Sequence, residues 1–100
     1  MTELTRHAQV RLQQRAIPPI VVELLTRLGT PVRSGGAETL IFDQAARKEL
    51  RRHLGGERSL KLIEPYLDVY LVIADGGPVI TVGRRHKALH RNRSARQGVR

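Results

Sequence analysis

The sequence predicts an α+β fold in which two N-terminal helices and a third helix pack against an antiparallel sheet of four to five strands. Two observations predict this fold. An apolar stripe with helical spacing occupies residues 20–28, and segments of period-two apolarity flank Gly-Gly turns at residues 35–36 and 76–77. Because a chain of 100 residues buries enough surface for one core only, we expect a single domain over residues 1–90.

Two helices are expected at the start of the chain. Thr5 is a favourable N-cap, and residues 6–15 contain neither Gly nor Pro. Pro18 ends the first helix because it disfavours helical backbone at Ile17. The second helix is expected over residues 19–29, since Pro is favoured in a first turn and Gly just past a last turn.

A hairpin and a third helix are expected next. Residues 30–33 and 38–42 flank the turn at residues 34–36, which is the pattern of a β-hairpin. Asp43 then has the position of an N-cap, and the helix that it starts is expected to run through Leu54, where a Gly-Gly pair closes it.

The second half of the domain is expected to be mainly strand. Residues 59–63 are predicted as a short strand, and Pro65 argues against a helix running through this region. Residues 69–74 are almost continuously apolar, which predicts a central strand covered on both faces. The turn at residues 75–77 leads into a last strand over residues 79–82, so this pair forms a second hairpin.

The charge of the chain is concentrated at its C-terminal end. Residues 84–100 contain seven Arg or Lys and no acidic residue, so eleven basic and nine acidic residues, or +2 of the formal +9, remain for residues 1–83. Past Leu89 the apolar content is too low to fold alone, so residues 91–100 are expected to form a mobile basic tail. A near-neutral domain with a cationic arm matches a polyanion, and RNA or the ribosome is the first candidate partner. A solubilising tail without a ligand is the alternative.

The composition excludes several classes of site. Without cysteine the chain forms neither a disulfide framework nor a thiolate zinc site. His86 and His90 have the spacing of a helical metal pair, but the neighbouring Arg and Lys repel a cation, so we expect no metal. No Gly-rich phosphate loop is present, so we expect no cofactor either. One Phe, two Tyr and no Trp give no stacking platform for bases, so nucleic acid would be held mainly through its phosphates. No apolar run approaches the roughly 20 residues of a membrane span and no signal peptide is recognisable, so we expect a soluble cytoplasmic protein.

One cationic face is expected on the first helix. His7, Arg11 and Arg15 are four residues apart, so they share one side of the helix. Three stacked cationic or titratable groups repel each other unless an anion offsets them. A phosphate backbone would do so, since Arg offers forked donors and His moves a proton near neutral pH. The alternative is an ordinary solvent-facing surface.

A second cationic cluster follows the last predicted strand directly, and it consists of Arg84, Arg85, His86 and Lys87. Strand alternation places Arg84 and His86 on one face and the other two residues on the opposite face. A His between cations suits metal-independent cleavage of RNA, in which one group takes the 2′-OH proton, cations stabilise the phosphorane and another group protonates the leaving oxygen. In the tail, Arg91 and Arg93 would add phosphate contacts. The alternative is a purely electrostatic arm.

The order of these motifs resembles a known group of proteins. Residues 5–17 read Thr-Arg-His-Ala-Gln-x-Arg-x-x-x-Arg-x-Ile, and an apolar helix ending at Leu28-Gly29 follows. A Gly-Gly hairpin leads to Ile-Phe-Asp at residues 41–43, and residues 79–85 read Val-Ile-Thr-Val-Gly-Arg-Arg. From residue 4 to about residue 90 this pattern is similar to a small bacterial family of unknown function within the RelE/ParE-like toxin superfamily.

The resemblance implies a RelE-like fold with a curved antiparallel sheet. It also implies the toxin half of a toxin–antitoxin pair, which cleaves ribosome-bound mRNA and is neutralised by an acidic or amphipathic antitoxin. By position, the motif residues carried over are His7, Arg11, Arg15, Thr81, Gly83 and Arg85. Where the family closes with Gly-His-Arg-Tyr-Lys, this chain has Arg84 in the place of the His, so His86 would act from the Tyr position.

Three functions follow as hypotheses. The first is a metal-independent endoribonuclease of the RelE-like toxin type, with Arg11 and Arg85 stabilising the phosphate and His7 and His86 transferring protons. The second is a non-catalytic nucleic-acid- or ribosome-binding protein that uses the same basic surface. The third is a protein-interaction module whose cationic arm meets an acidic partner. A single catalytic site requires a charged group of the first helix within about 10 Å, one Debye length, of the cluster after the last strand.

Overall fold

A computed structural model describes residues 3–85 of the chain. The tail predicted over residues 91–100 lies outside this part. Within it the elements follow in the order α1 (Arg6–Gln14), α2 (Pro19–Leu28), β1 (Thr30–Ser34), β2 (Ala37–Ile41), α3 (Gln44–Leu54), α4 (Glu57–Ile63), a 3₁₀ turn (Glu64–Tyr66), β3 (Val69–Ala74) and β4 (Val79–Arg84). The α+β class is therefore confirmed, with a fourth helix that the sequence analysis does not predict.

The four strands form one antiparallel sheet in the order β1-β2-β3-β4. Thr30 lies opposite Ile41 and Val69 lies opposite Arg84. The starts of β1 and β3 and the ends of β2 and β4 therefore meet at one end of the sheet, which these four residues mark and which we call the closing end. At the other end, Leu4 adds a parallel bridge to β4.

One face of the sheet carries the core. The strand residues buried there are Leu40, Val69, Leu71, Val79 and Val82, and they belong to a single apolar cluster with side chains of the helices. Their neighbours along the strands point to the second face, which we call the open face; its residues Thr39, Ile41, Tyr70, Val72 and Thr81 are only half-buried. The central position of β3 is confirmed. Its expected burial on both faces is wrong for residues 3–85, because the helices cover one face only.

The predicted helix starts are confirmed by their caps. Thr5 Oγ1 accepts the N–H of Ala8 at 3.2 Å, and Asp43 Oδ1 accepts the N–H of Ala46 at 2.9 Å. Gly55, with φ of 88°, ends α3 in the left-handed region that favours glycine. With α3 the longest at 11 residues, no helix among residues 3–85 reaches the length and apolarity that a membrane span requires.

The short strand predicted over residues 59–63 is wrong, because these residues belong to α4. In a strand Leu60 and Leu62 would share one face, yet Leu60 is buried and Leu62 is 76% exposed. The buried residues are Leu60 and Ile63, which are three apart and therefore share one helix face. Pro65 lies in the first turn of the 3₁₀ segment, where a missing N–H removes no hydrogen bond, so α4 ends before it.

Candidate nucleic-acid interface

Arg85 lies at the closing end of the sheet, directly after β4. Its backbone N–H donates to the carbonyl of Asp68 at 2.7 Å, which extends the β3–β4 ladder by one step and fixes the position of the residue. Alternation from Gly83 directs the Arg85 side chain to the open face. The side chain is half-buried, and its Nε is buried with no hydrogen-bond partner. Among residues 3–85 no ion pair to this guanidinium forms either.

The charge of Arg85 interacts with the carboxylate of Asp43. This carboxylate accepts the Thr30 hydroxyl at 2.6 Å and the Ala46 N–H at 2.9 Å. The hydrogen bond from Thr30 is the main cause that lowers the pKa of Asp43, the Ala46 N–H is the next, and the positive charge of Arg85 contributes a smaller part. Because two donors already bind this carboxylate, the Arg85 guanidinium interacts with its charge without forming an ion pair with it.

Tyr70 lies over the backbone of β4 on the open face. A Cβ atom placed on Gly83 would be 2.6 Å from the Tyr70 hydroxyl oxygen and 2.7 Å from Cζ, which is too close for any side chain. Gly83 is therefore required for this contact, and this gives a packing reason for the glycine of the closing motif. The phenol ring consequently lies beside the strand that positions Arg85.

Arg84 points away from the open face and is held by the fold. Its Nη2 donates to the carbonyl of Pro65, its Nε is 3.4 Å from Asp68 Oδ2, and its guanidinium carbon is 5.7 Å from the centroid of the Tyr66 ring. The other carboxylate oxygen of Asp68 is buried without a partner. These contacts give Arg84 a structural role, while its contribution to nucleic-acid binding stays a prediction.

The cationic face predicted on α1 starts at the opposite end of β4. The N–H of Thr5 donates to the carbonyl of Val79 at 2.9 Å, and α1 packs against β4 from there. Val79 is five residues before Arg84, or roughly 17 Å along an extended strand. On α1, His7 is exposed and Arg11 is half-buried; Arg15, also exposed, follows the last turn. The structure thus joins the N-terminal end of α1 to the end of β4 that is far from Arg85.

Four predicted site residues, His86, Lys87, Arg91 and Arg93, lie outside the described residues. Within residues 3–85 the closing end brings Arg85 together with Thr30, Asp43 and Tyr70, three residues that the sequence analysis did not select. The almost continuous apolarity of residues 69–74 gives no indication of which face Tyr70 occupies, so its position opposite Gly83 follows from the sheet register.

The positive charge of residues 3–85 lies in a segment that no sequence motif singles out. Residues 44–63 contain six Lys or Arg and two Glu, a formal charge of +4. The rest of residues 3–85 contains seven basic and seven acidic residues, so its formal charge is zero. The whole net charge of the described domain is therefore carried by α3 and α4.

Part of this charge surrounds a groove along α3, which we call the α3 groove. Its volume is about 750 Å³, and the described residues that line it are Gln44, Ala45, Arg47, Lys48 and Arg51. Glu57 pairs with Arg51 at 3.3 Å and Glu49 pairs with Arg52 at 3.0 Å, so both acidic residues of the segment are already engaged. Arg47 Nε donates to the carbonyl of Phe42 at 3.0 Å. Lys48 makes no ion pair within the described part of the chain.

No family model, curated protein or solved structure matches the chain. The RelE/ParE-like resemblance therefore stays a prediction. In residues 3–85 no group of three or more His, Asp or Glu side chains converges where a metal ion could be held.

Proposed function

We propose that the protein binds RNA at the closing end of the sheet, with Arg85 as the residue that contacts a phosphate. The observation that carries this proposal is the state of the Arg85 side chain, which is half-buried on the open face and whose Nε has no hydrogen-bond partner among residues 3–85. A guanidinium that is partly removed from water needs acceptors, because an unsatisfied charged donor is unfavourable. Phosphate oxygens match its forked donors and its charge.

The choice of RNA as the polyanion comes from the RelE/ParE-like resemblance and from the excess of basic residues. The most specific form of the proposal is a RelE-like toxin in the cytoplasm, acting as a metal-independent endoribonuclease on ribosome-bound mRNA and held inactive by an acidic or amphipathic antitoxin. Its substrate class is single-stranded RNA, because only there can the 2′-oxygen reach the in-line position for attack on the neighbouring phosphorus.

The proposed cleavage step needs one base, one acid and a stabilised phosphorane. A base takes the proton of the 2′-hydroxyl, O2′ bonds to the phosphorus, and the P–O5′ bond breaks as an acid protonates O5′. The products are a 2′,3′-cyclic phosphate and a 5′-hydroxyl. Arg85 stabilises the charge on the phosphorane, and His86, next to it in the chain, is the candidate proton-transfer group. Arg11 and His7 stay expectations from the resemblance, because α1 packs on the helix-covered face of the sheet whereas Arg85 faces the open one.

A non-catalytic RNA- or ribosome-binding protein is the second candidate function, and one observation favours it. Arg84 stands where the family that the chain resembles has its His, and in this chain it contacts Pro65, Asp68 and Tyr66. The charge excess of α3 and α4 serves binding without any proton-transfer group. Binding is common to both functions, so cleavage is the property that separates them.

The test compares the full chain with Arg85→Ala on a fluorescein-labelled 20-nucleotide RNA. We expect Arg85→Ala to weaken binding about tenfold or more, because a hydrogen bond to a charged group contributes about 1.5–3 kcal/mol. Arg33→Ala is the matched control, since Arg33 pairs with Asp75 and Glu38 at the opposite end of the same sheet. Its binding should stay within twofold of the unmodified protein, and circular dichroism checks that each variant folds.

Cleavage is measured in the same reactions with EDTA present. Fragments ending in a 2′,3′-cyclic phosphate that depend on Arg85 support the endoribonuclease. Tight binding supports the non-catalytic protein if the RNA also stays intact in a second reaction, without EDTA, in which it is bound to ribosomes. If the unmodified chain does not bind RNA at low salt, or if the two variants bind equally well, the proposed function is wrong.

A further inference from the structure

We propose that the α3 groove is a second phosphate-binding site, in which Arg47, Lys48 and Arg51 hold the RNA strand on one side of the phosphate bound by Arg85. This inference rests on the proposed function and extends it from one contact to a path for the RNA backbone. The sequence analysis assigned no role to these three residues.

The charge of the segment is the first reason. All of the net charge of residues 3–85 is carried by residues 44–63, and the two Glu there are already paired with Arg51 and Arg52. A cluster of cations on one side of a helix raises the local positive potential and attracts anions. An anionic ligand in the groove therefore offsets this excess of positive charge, whereas the formal charges of the other described residues add up to zero.

The position of the groove is the second reason. Asp43, Arg47 and Arg51 are four residues apart at the start of and along α3, so they lie on one side of the helix about 6 Å apart along its axis. Asp43 is the carboxylate whose pKa the charge of Arg85 helps to lower. The line of cations on α3 thus begins beside the closing end of the sheet.

The residues themselves are the third reason. Arg47 is anchored through Nε to the carbonyl of Phe42, which fixes the direction of its guanidinium, and the described part of the chain offers no partner for the remaining nitrogens. No aromatic side chain is among the described residues that line the groove, so bases have nothing to stack on there. The groove therefore suits phosphate groups, and its contribution is expected to be independent of base sequence.

The experiment compares two charge reversals on the same basic segment. Lys48→Glu changes a lysine that lines the groove, and Lys61→Glu makes the same change on α4, where the side chain is exposed and outside the groove. The carboxylate introduced by Lys48→Glu would lie four residues before Arg52, an arrangement that favours the helix, so the variant is expected to fold. Affinity for a 20-nucleotide uridine RNA is measured by fluorescence anisotropy at several salt concentrations.

We expect Lys48→Glu to weaken RNA binding about fivefold to tenfold and to flatten the slope of log affinity against log salt by about 0.7, the value for one lost contact to a single strand. Lys61→Glu should weaken binding less than twofold and leave the slope unchanged. Poly-L-glutamate, added as a competitor at equal charge, should displace the RNA less well than unlabelled RNA does, because the proposed groove follows the spacing of phosphates along an RNA backbone.

The outcomes separate this inference from the proposed function. Equal effects of the two reversals, with Arg85→Ala still defective, overturn the groove as a site and leave RNA binding at Arg85 intact. Efficient displacement by poly-L-glutamate that Lys48→Glu abolishes would assign the groove to an acidic protein and overturn the inference as well. Failure of the unmodified chain to bind RNA overturns both.

Discussion

Asp43 connects three parts of the molecule through one carboxylate. It caps α3 through the Ala46 N–H, it holds the start of β1 through the Thr30 hydroxyl, and its charge faces Arg85. The same residue was identified from sequence as a helix cap, because an Asp before an apolar helical pattern is a local feature. Its other two contacts join residues far apart in the chain or depend on sheet register, and no local pattern contains that information.

The lowered pKa of Asp43 predicts how stability depends on pH. A carboxyl whose pKa is lower in the folded than in the unfolded protein stabilises the fold above its unfolded pKa of about 3.9, and this contribution is lost as pH falls through the folded value. Asp43→Asn keeps a cap but cannot ionise, so its free energy of unfolding should fall less steeply below pH 4 than that of the unmodified protein. Asp43→Ala loses the cap as well, at about 1 kcal/mol.

Urea unfolding followed by circular dichroism between pH 2.5 and 7 measures both effects. Glu49→Gln serves as the control, since Glu49 is an exposed carboxylate of the same helix with a single ion pair to Arg52. An acid slope for Asp43→Asn that equals the slope of the unmodified chain would contradict the prediction.

At the scale of elements, the sequence predicts the helices and hairpins whose ends are set by single residues. α2, α3 and the two hairpins follow from Pro, Asp and Gly at positions where backbone geometry requires them. α4 has seven residues and begins at a glycine without a side-chain cap, so its state depends on packing. Leu60 and Ile63 reach the core only in a helix, and that preference is set by the finished core rather than by the segment.

The contact between β3 and β4 at Gly83 predicts a coupled pair of mutations. Gly83→Ala places a methyl group against the Tyr70 ring, so it should destabilise the protein by about 1–3 kcal/mol. In a Tyr70→Ala background the obstacle is absent. There the same Gly83→Ala change should be close to neutral or stabilise by about 0.4–1 kcal/mol, because Ala reduces the freedom of the unfolded chain.

A double-mutant cycle on unfolding free energies measures this coupling, which should exceed about 1 kcal/mol for side chains in direct contact. Additive effects of the two mutations would show that the ring does not lie against Gly83. RNA binding by Tyr70→Ala, measured alongside, shows whether the ring also contributes to the interface.

At the scale of the whole molecule, the distribution of charge determines what the sequence could reveal about the site. The run of seven basic residues in residues 84–100 is conspicuous because no acidic residue interrupts it. The excess on α3 and α4 is less visible, since Glu49 and Glu57 stand among the cations, and only their ion pairs in the fold show that they are engaged by Arg52 and Arg51. Arg85 was predicted as a site residue, but its neighbours at the closing end required the sheet register.

If the protein binds RNA as proposed, the salt dependence of binding separates the contribution of residues 91–100 from that of residues 3–85. Deleting residues 91–100 removes Arg91, Arg93, Arg96 and Arg100. If each neutralises one phosphate, the slope of log affinity against log salt should flatten by about 3, at about 0.7 per contact on a single strand. The binding that remains should still be weakened by Lys48→Glu and Arg85→Ala, because the deletion leaves both residues in place. A control chain in which the four arginines are replaced by Gln keeps the length and should match the deletion. An unchanged slope in both would show that residues 91–100 do not contact phosphate, and the contacts to phosphate would then come from the residues before them, with Arg85 and the α3 cations as the first candidates.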